Sequence, residues 1–203
     1  MKSFTLLEIL ITVAIFGVAM VLVSGTFLRG AMRQRELIEV QNVADNLRAV
    51  MEIMTREMRM AKRDKDGVCL DVLPNNDYRG FSYCLVDISN NFQCNSGTNR
   101  PFSQLISGVG IKFLNYKNEC VVYFKDGDFL KKGVKKVAGF ETATLSSANV
   151  KIETLNFWLR GESPKDQLQP RVVIVLKGVG KSGKTISSIS TQTTVSLREV
   201  DTP

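Results

Sequence analysis

The spacing of apolar positions divides this chain into three stretches. From Phe4 to Leu28 it reads FTLLEILITVAIFGVAMVLVSGTFL, an apolar run carrying one ionisable residue, Glu8. About 20 apolar residues suffice to cross a bilayer, so residues 4–28 are expected to form a transmembrane helix. Farther on, Leu37, Val40, Ala44, Leu47, Met51, Met54, Met58 and Ala61 recur at alternating intervals of three and four, and Val43 and Val50 widen the row. That spacing predicts an amphipathic helical stripe across residues 29–66. No proline precedes Pro74, so nothing forces a break between the two stretches. Phe4 to Asp64 reads as one helix of about 90 Å at 1.5 Å per residue, with Gly17, Ser24 and Gly25 as places to bend. Asp64-Lys65-Asp66-Gly67 is the expected stop, Gly67 serving as the C-terminal cap. The stripe has three readings: docking on a sheet, packing on neighbouring helices, or a free coiled coil. The first is expected, with the second alongside it.

After Gly67 the period becomes that of strands. FSYCLV (81–86), IKFLNY (111–116), ECVVYFK (119–125), VKIETLNFWL (150–159) and RVVIVL (171–176) are β-rich runs. Asp126-Gly127 marks a hairpin turn. Residues 189–197 alternate, with Ile189, Thr191, Thr193, Val195 and Leu197 on one face. Residues 87–104 have the composition of an irregular insertion. Strands at hairpin spacing without intervening helices imply an antiparallel sheet, and with the leading helix an α+β domain over residues 67–203.

Charge refines this picture little. The chain carries +7, spread along its length, with a small cluster at Lys131, Lys132, Lys135 and Lys136. A basic surface attracts nucleic acid or acidic polymers, but lysines on strands also serve to blunt sheet edges. Cys69, Cys84, Cys94 and Cys120 have no CxxC spacing, and the chain contains no histidine, which argues against a zinc site. If this region lies on the exported side of a membrane, disulfides are favoured. Four cysteines allow three pairings. Cys84 with Cys94 would close a short loop of turn composition, leaving Cys69 with Cys120, and free buried thiols are the alternative.

Gly178-Val179-Gly180-Lys181-Ser182-Gly183-Lys184-Thr185 matches the nucleotide-binding pattern GxxxxGK[ST], and the apolar run RVVIVL precedes it. In that motif backbone N–H groups cradle phosphates, the lysine reaches the outer phosphates and the hydroxyl holds magnesium. The motif has to open a helix, whereas ISSISTQTTVSL is rich in β-branched residues and serine. Gly178, Gly183, Lys184 and Thr185 are therefore expected in a hairpin loop. Without histidine there is no His-based triad or general base. No catalytic constellation, metal site or cofactor is expected, and the chain reads as a non-enzyme.

Glu8 is the remaining anomaly. A carboxylate inside a membrane helix costs a few kcal/mol and calls for a partner, such as an amino terminus created by cleavage just upstream. The opening Met1-Lys2-Ser3-Phe4-Thr5-Leu6-Leu7-Glu8 resembles the leader and processing motif of type IV pilins and pseudopilins. A secretory signal peptide has a shorter apolar region followed by a small-x-small site. The resemblance implies a leader at residues 1–3, cleavage between Ser3 and Phe4 by a prepilin peptidase, N-methylation of Phe4, and a contact from Glu8 to the Phe4 amine of a neighbouring subunit. Ser3 departs from the glycine that the family favours before the cut. NFWLRG, PRVVIVLKG and TQTTVSLRE are similar in pattern to the PilW and J-type pseudopilin group. The implied protein is a minor subunit of a pilus, type II secretion or DNA-uptake filament. Its partners would be other pilin-like subunits and the inner membrane, with a short cytoplasmic N-terminus and an extracytoplasmic domain. The alternative is a membrane-anchored module that recognises DNA or a surface polymer through its lysines.

Overall fold

In the computed structural model, which describes residues 5–70, 72–73, 76–77, 79–88, 92–94, 109–161, 168–181 and 188–198, the two helical patterns of the sequence are one element. Helix α1 runs unbroken from Leu6 to Arg59, about 80 Å at 1.5 Å per residue, passing Gly17, Ser24 and Gly25 without interruption. It ends sooner than the Asp64–Gly67 signal implies. Met60 leaves helical geometry, and the backbone N–H of Lys62 donates to the carbonyl of Leu114. The buried Asp64 then accepts from the N–H groups of Val68, Cys69 and Leu70 at 2.9, 2.8 and 2.6 Å. Gly67, at φ 69°, serves the turn organised by Asp64 rather than the helix end. Backbone donors answered by a carboxylate and by a strand make a further helical turn unnecessary.

The strands that follow form two principal antiparallel sheets in place of the single sheet expected. In chain order they are β1 (Val72–Leu73), β2 (Asn76–Asp77), β3 (Tyr83–Asp87), β4 (Val109–Leu114), β5 (Cys120–Asp126), β6 (Phe129–Lys136), β7 (Gly139–Thr144), β8 (Val150–Arg160), β9 (Arg171–Gly180) and β10 (Ser188–Ser196). β3 to β7 make a five-stranded meander and β8 to β10 a three-stranded one, while β1 pairs with β2 alone. The Asp126-Gly127 signal sits at the β5–β6 hairpin, where Asp126 pairs with Phe129 across Gly127 at φ 56°. The apolar spacing does not mark β7, and the Asp126-Gly127 turn implies β6 only by requiring a returning strand. GFETAT lies at a sheet edge with little of its surface covered, so no apolar alternation announces it.

The core lies between α1 and the inner faces of both sheets. Val43, Leu47, Val50, Met51, Met54 and Met58 of the helix meet Ile111, Phe113, Val121 and Leu130 of the large sheet and Ile152, Leu155, Ile174, Leu176 and Val195 of the small one. Inward positions of β9 run Val172, Ile174, Leu176, then Gly178 and Gly180. A Cβ on Gly178 would stand 3.0 Å from Leu47 Cδ2, and one on Gly180 would stand 3.5 Å from Val43 Cγ2. The first is tighter than ordinary contact, so Gly178 lets the helix settle onto the sheet, whereas the second is an ordinary contact distance.

A second, smaller core covers the outer face of the five-stranded sheet. It joins Cys69, Leu70, Cys84, Val86, Cys94, Leu114, Cys120, Val122 and Phe124. β5 is central to both cores, which is why CVVYF is buried throughout. Its cover is irregular chain from Asp64 to Leu70 and from Phe92 to Cys94. Phe92 adopts φ 58°, rare for a bulky residue. It is held there by the rings of Phe124 and Phe140, whose centroids lie 4.7 and 5.0 Å away, and by the Lys112 ammonium donating to its carbonyl at 2.8 Å.

Candidate functional site: an uncovered apolar helix

The helix begins at Thr5, whose extended backbone (φ −82°, ψ 149°) leaves its carbonyl to accept from the N–H groups of Glu8 and Ile9. The hydroxyls of Thr12 and Thr26 donate back to the carbonyls of Ile9 and Val23, each at 2.8 Å. Those polar groups therefore find their partners within the helix, as an apolar medium demands. The large apolar side chains from Leu6 to Leu28 are 49–82% exposed. This is the helix long and apolar enough to cross a membrane. Exposure continues through Leu37 and Ile38 at 61% and 55%. Leu37, the first residue of the predicted stripe, thus projects beyond the domain, and the cover begins at Val43.

Glu8 lies in the first turn of α1, fully within the uncovered stretch. A carboxylate there is favoured by the helix dipole. Among the described residues it has no ion-pair or hydrogen-bond partner. Ser3 and Phe4, the expected cleavage and methylation positions, lie outside the described residues, so no geometry relates them to Glu8.

All four cysteines lie in the outer core. Cys84 is bonded to Cys94 and Cys69 to Cys120. The second bond ties the chain leaving the helix to β5, and the first ties the Phe92–Cys94 segment to β3.

The GxxxxGK stretch is divided between described and undescribed residues. Gly178 is in β9, and Gly183, Lys184 and Thr185 lie outside the description. Lys181 donates its backbone N–H to the Asn149 carbonyl at 2.9 Å, and its ammonium lies 4.4 Å from the Phe129 ring centroid. On the far side the chain returns as β10, antiparallel to β9 with Ser188 opposite Val179. From Ser188 on, where a phosphate-binding helix would continue, the chain is a strand, and the first glycine of the pattern, Gly178, lies against Leu47 of the helix.

Three of the four lysines clustered on β6 make contacts within the domain, and Lys136 is exposed. Lys131 pairs with Asp126 at 2.6 Å, and Lys135 donates to the Val68 carbonyl at 3.3 Å. Lys132 reaches both oxygens of the Glu57 carboxylate at 2.8 Å. Glu57 also accepts from the Tyr123 hydroxyl and from Asn115 Nδ2 at 3.2 Å, while the same amide donates to Glu119 at 3.0 Å. At the next residue of the helix, the Tyr83 hydroxyl donates to the Met58 carbonyl at 2.6 Å.

These contacts pin the last turns of α1 to the large sheet. Burial pushes the Tyr83 phenol well above its ordinary value. Tyr123 is raised by burial first, then by the adjacent Glu57 carboxylate. Glu119 is lowered, chiefly by the Asn115 hydrogen bond; desolvation opposes this, and Lys136, Lys117 and Lys132 add smaller attractions in the same direction as Asn115. The sequence hid this cluster because Glu57, between Arg56 and Met58, reads as part of a solvated charged face.

Two regions of the molecule thus differ in chemical completeness. Among the described residues the domain buries a large apolar core against α1, while the apolar side chains of the helix from Leu6 to Leu28 stay 49–82% exposed. No family model matches the chain, and no curated protein or solved structure matches it at a significant level.

Proposed function

We propose that this chain is a minor pilin or pseudopilin, a subunit of a type IV-like filament that resides in the inner membrane through α1 until it is assembled. The observation that carries this reading is the uncovered apolar half of α1 with a lone carboxylate in its first turn. A helix of that composition is stable only in lipid or among other apolar helices. Glu8 gives the second environment a specific contact, the Phe4 amine that cleavage after Ser3 would create on a neighbouring subunit. The FTLLE sequence behind Lys2 and Ser3 supports cleavage by a prepilin peptidase and methylation of Phe4. Two disulfides support an extracytoplasmic position for the sheets, since such bonds persist in oxidising compartments. In this reading the domain rides outside a core of packed helices, and the chain performs no catalysis.

The experiment is Glu8→Gln in cells that contain the peptidase. The variant is expected to insert and to be cleaved like the wild type, because its segment becomes more apolar and Ser3-Phe4 is unchanged. Recruitment to partner subunits should fall. Leaving one member of a buried pair uncompensated costs about 3–5 kcal/mol, two orders of magnitude or more in an equilibrium assembly. Intact mass gives the processing, and co-purification gives the recruitment. A mature chain that does not begin at methylated Phe4, or wild-type recruitment of the variant, would defeat the proposal. The alternative, a DNA or polymer receptor, draws less on Lys131, Lys132 and Lys135, which have partners inside the domain, than on Lys136, which is exposed.

A further inference from the structure

The first charges that follow the apolar run are three arginines, Arg29, Arg33 and Arg35, and acids appear only at Glu36 and Glu39. All three arginines are exposed on the uncovered part of α1, and among the described residues none has a hydrogen-bond or ion-pair partner. The same helix treats its later arginines differently. Arg48 pairs with Asp45 at 3.5 Å, and Arg56 with Glu52 at 2.7 Å. Every cation between Glu8 and Arg59 is arginine, although lysines outnumber arginines in the whole chain.

Length explains the position of the three. Leu6 to Leu28 rises about 34 Å at 1.5 Å per residue, close to the ~30 Å hydrocarbon thickness of a bilayer. Arg29 to Arg35 then rises about 9 Å, comparable to the ~5–8 Å headgroup layer on one side. Guanidinium groups present paired N–H donors that match phosphate oxygens, which ammonium groups do not. We propose that Arg29, Arg33 and Arg35 form a collar that binds the phosphodiester head groups of anionic phospholipids at the domain side of the membrane. The collar holds the unassembled subunit at a fixed height, with Val43 and the domain about 20 Å beyond Leu28. This inference rests on the membrane-spanning reading of α1 but not on filament assembly.

The test uses the full chain in phosphatidylcholine bilayers containing a minority of phosphatidylglycerol. Lipid retained by the protein after extraction in native nanodiscs is counted by mass spectrometry. The wild type is expected to enrich phosphatidylglycerol over the bulk. The triple variant R29Q/R33Q/R35Q should lower that enrichment at least fivefold, the factor expected from even one basic residue at an anionic surface. The double variant R48Q/R56Q should leave it unchanged, because Arg48 stands about 28 Å along the helix from Arg29, well beyond the ~8–10 Å screening length. Equal enrichment in wild type and triple variant, or an equal loss in the double variant, would overturn the collar. Alkaline carbonate extraction separates the two readings. A chain washed from the bilayer refutes the spanning helix, and a retained chain without enrichment refutes the collar alone.

Discussion

Between Val43 and Met58, α1 sends six side chains into the core; between Leu6 and Leu28, the same backbone leaves its apolar side chains at 49–82% exposure. Hydrogen bonding along the helix does not distinguish the two stretches. They differ in what stands opposite them. The docked stretch meets two sheets, carries paired ions on its outer side and is pinned by Tyr83, Tyr123 and Lys132. The free stretch has no such cover among the described residues. Helix continuity is a property of the backbone, whereas the energy of each stretch is set by the medium around its side chains. One element can therefore belong to a folded domain at one end and to lipid or neighbouring helices at the other.

The sharpest way to break this comparison is to make one kind of change in both stretches. Met54→Ala, at a fully buried position, is expected to lower the unfolding free energy of the domain by about 2–5 kcal/mol. Leu22→Ala in the free stretch should change it by less than about 0.5 kcal/mol. Denaturant unfolding in mild detergent, followed by the fluorescence of Trp158, reads both. Comparable losses would show that the free stretch packs on the domain.

A second change attacks the seam itself. Gly178→Val places a side chain where Leu47 Cδ2 already sits 3.0 Å from the new Cβ. Overpacking of this kind costs about 1–3 kcal/mol, and Leu47→Ala in the same chain should return part of it. Failure of that rescue would mean that the glycine serves something other than helix docking.

Alkaline pH should loosen the docked stretch through its phenols. Tyr83 and Tyr123 are raised above their ordinary value of 10.0. Their neutral forms are therefore favoured by folding, and this contribution is fully present below pH 10. As pH rises above 10 the unfolded chain loses these protons first, so stability falls toward the folded-state values. The slope is about 1.4 kcal/mol per pH unit for each tyrosine. Urea melts from about pH 9 to about pH 11 check it: Tyr83→Phe should flatten the slope, and a flat wild-type curve would contradict both assignments. The smallest effect is expected for Lys184→Ala, within about 0.5 kcal/mol of wild type, with no change in melting temperature on adding ATP. Micromolar ATP affinity abolished by the substitution would reverse the reading of that loop.

Residues with a single structural task were the legible ones. The long helix, five of the strand runs, the Asp126-Gly127 turn and the β10 alternation all lie where apolar spacing places them. What spacing could not show was competition from tertiary partners. Asp64 and Gly67 look like a helix stop, but Leu114 captures the chain at Lys62 first. Gly178 looks like a phosphate ligand because close backbone approach to a helix asks for the same residue as close approach to a phosphate. Lys131, Lys132 and Lys135 look like a surface cluster until Asp126, Glu57 and the Val68 carbonyl are brought near from elsewhere in the chain. Glu8 is conspicuous in sequence for the reason that keeps it conspicuous in the structure: nothing described within its own chain answers it.

The apolar sheet face of the outer core, with Val86, Leu114, Val122 and Phe124, is roofed by short irregular segments whose attachment runs through Cys69–Cys120 and Cys84–Cys94. In a chain with four free thiols that roof would rest on the Asp64 hydrogen bonds, the Phe92 ring contacts and the Lys112 bond alone. The two disulfides add covalent ties to that cover and leave the apolar helix untouched. One face of the molecule is thus closed by covalent bonds within the chain, while the apolar helix is left to whatever medium surrounds it.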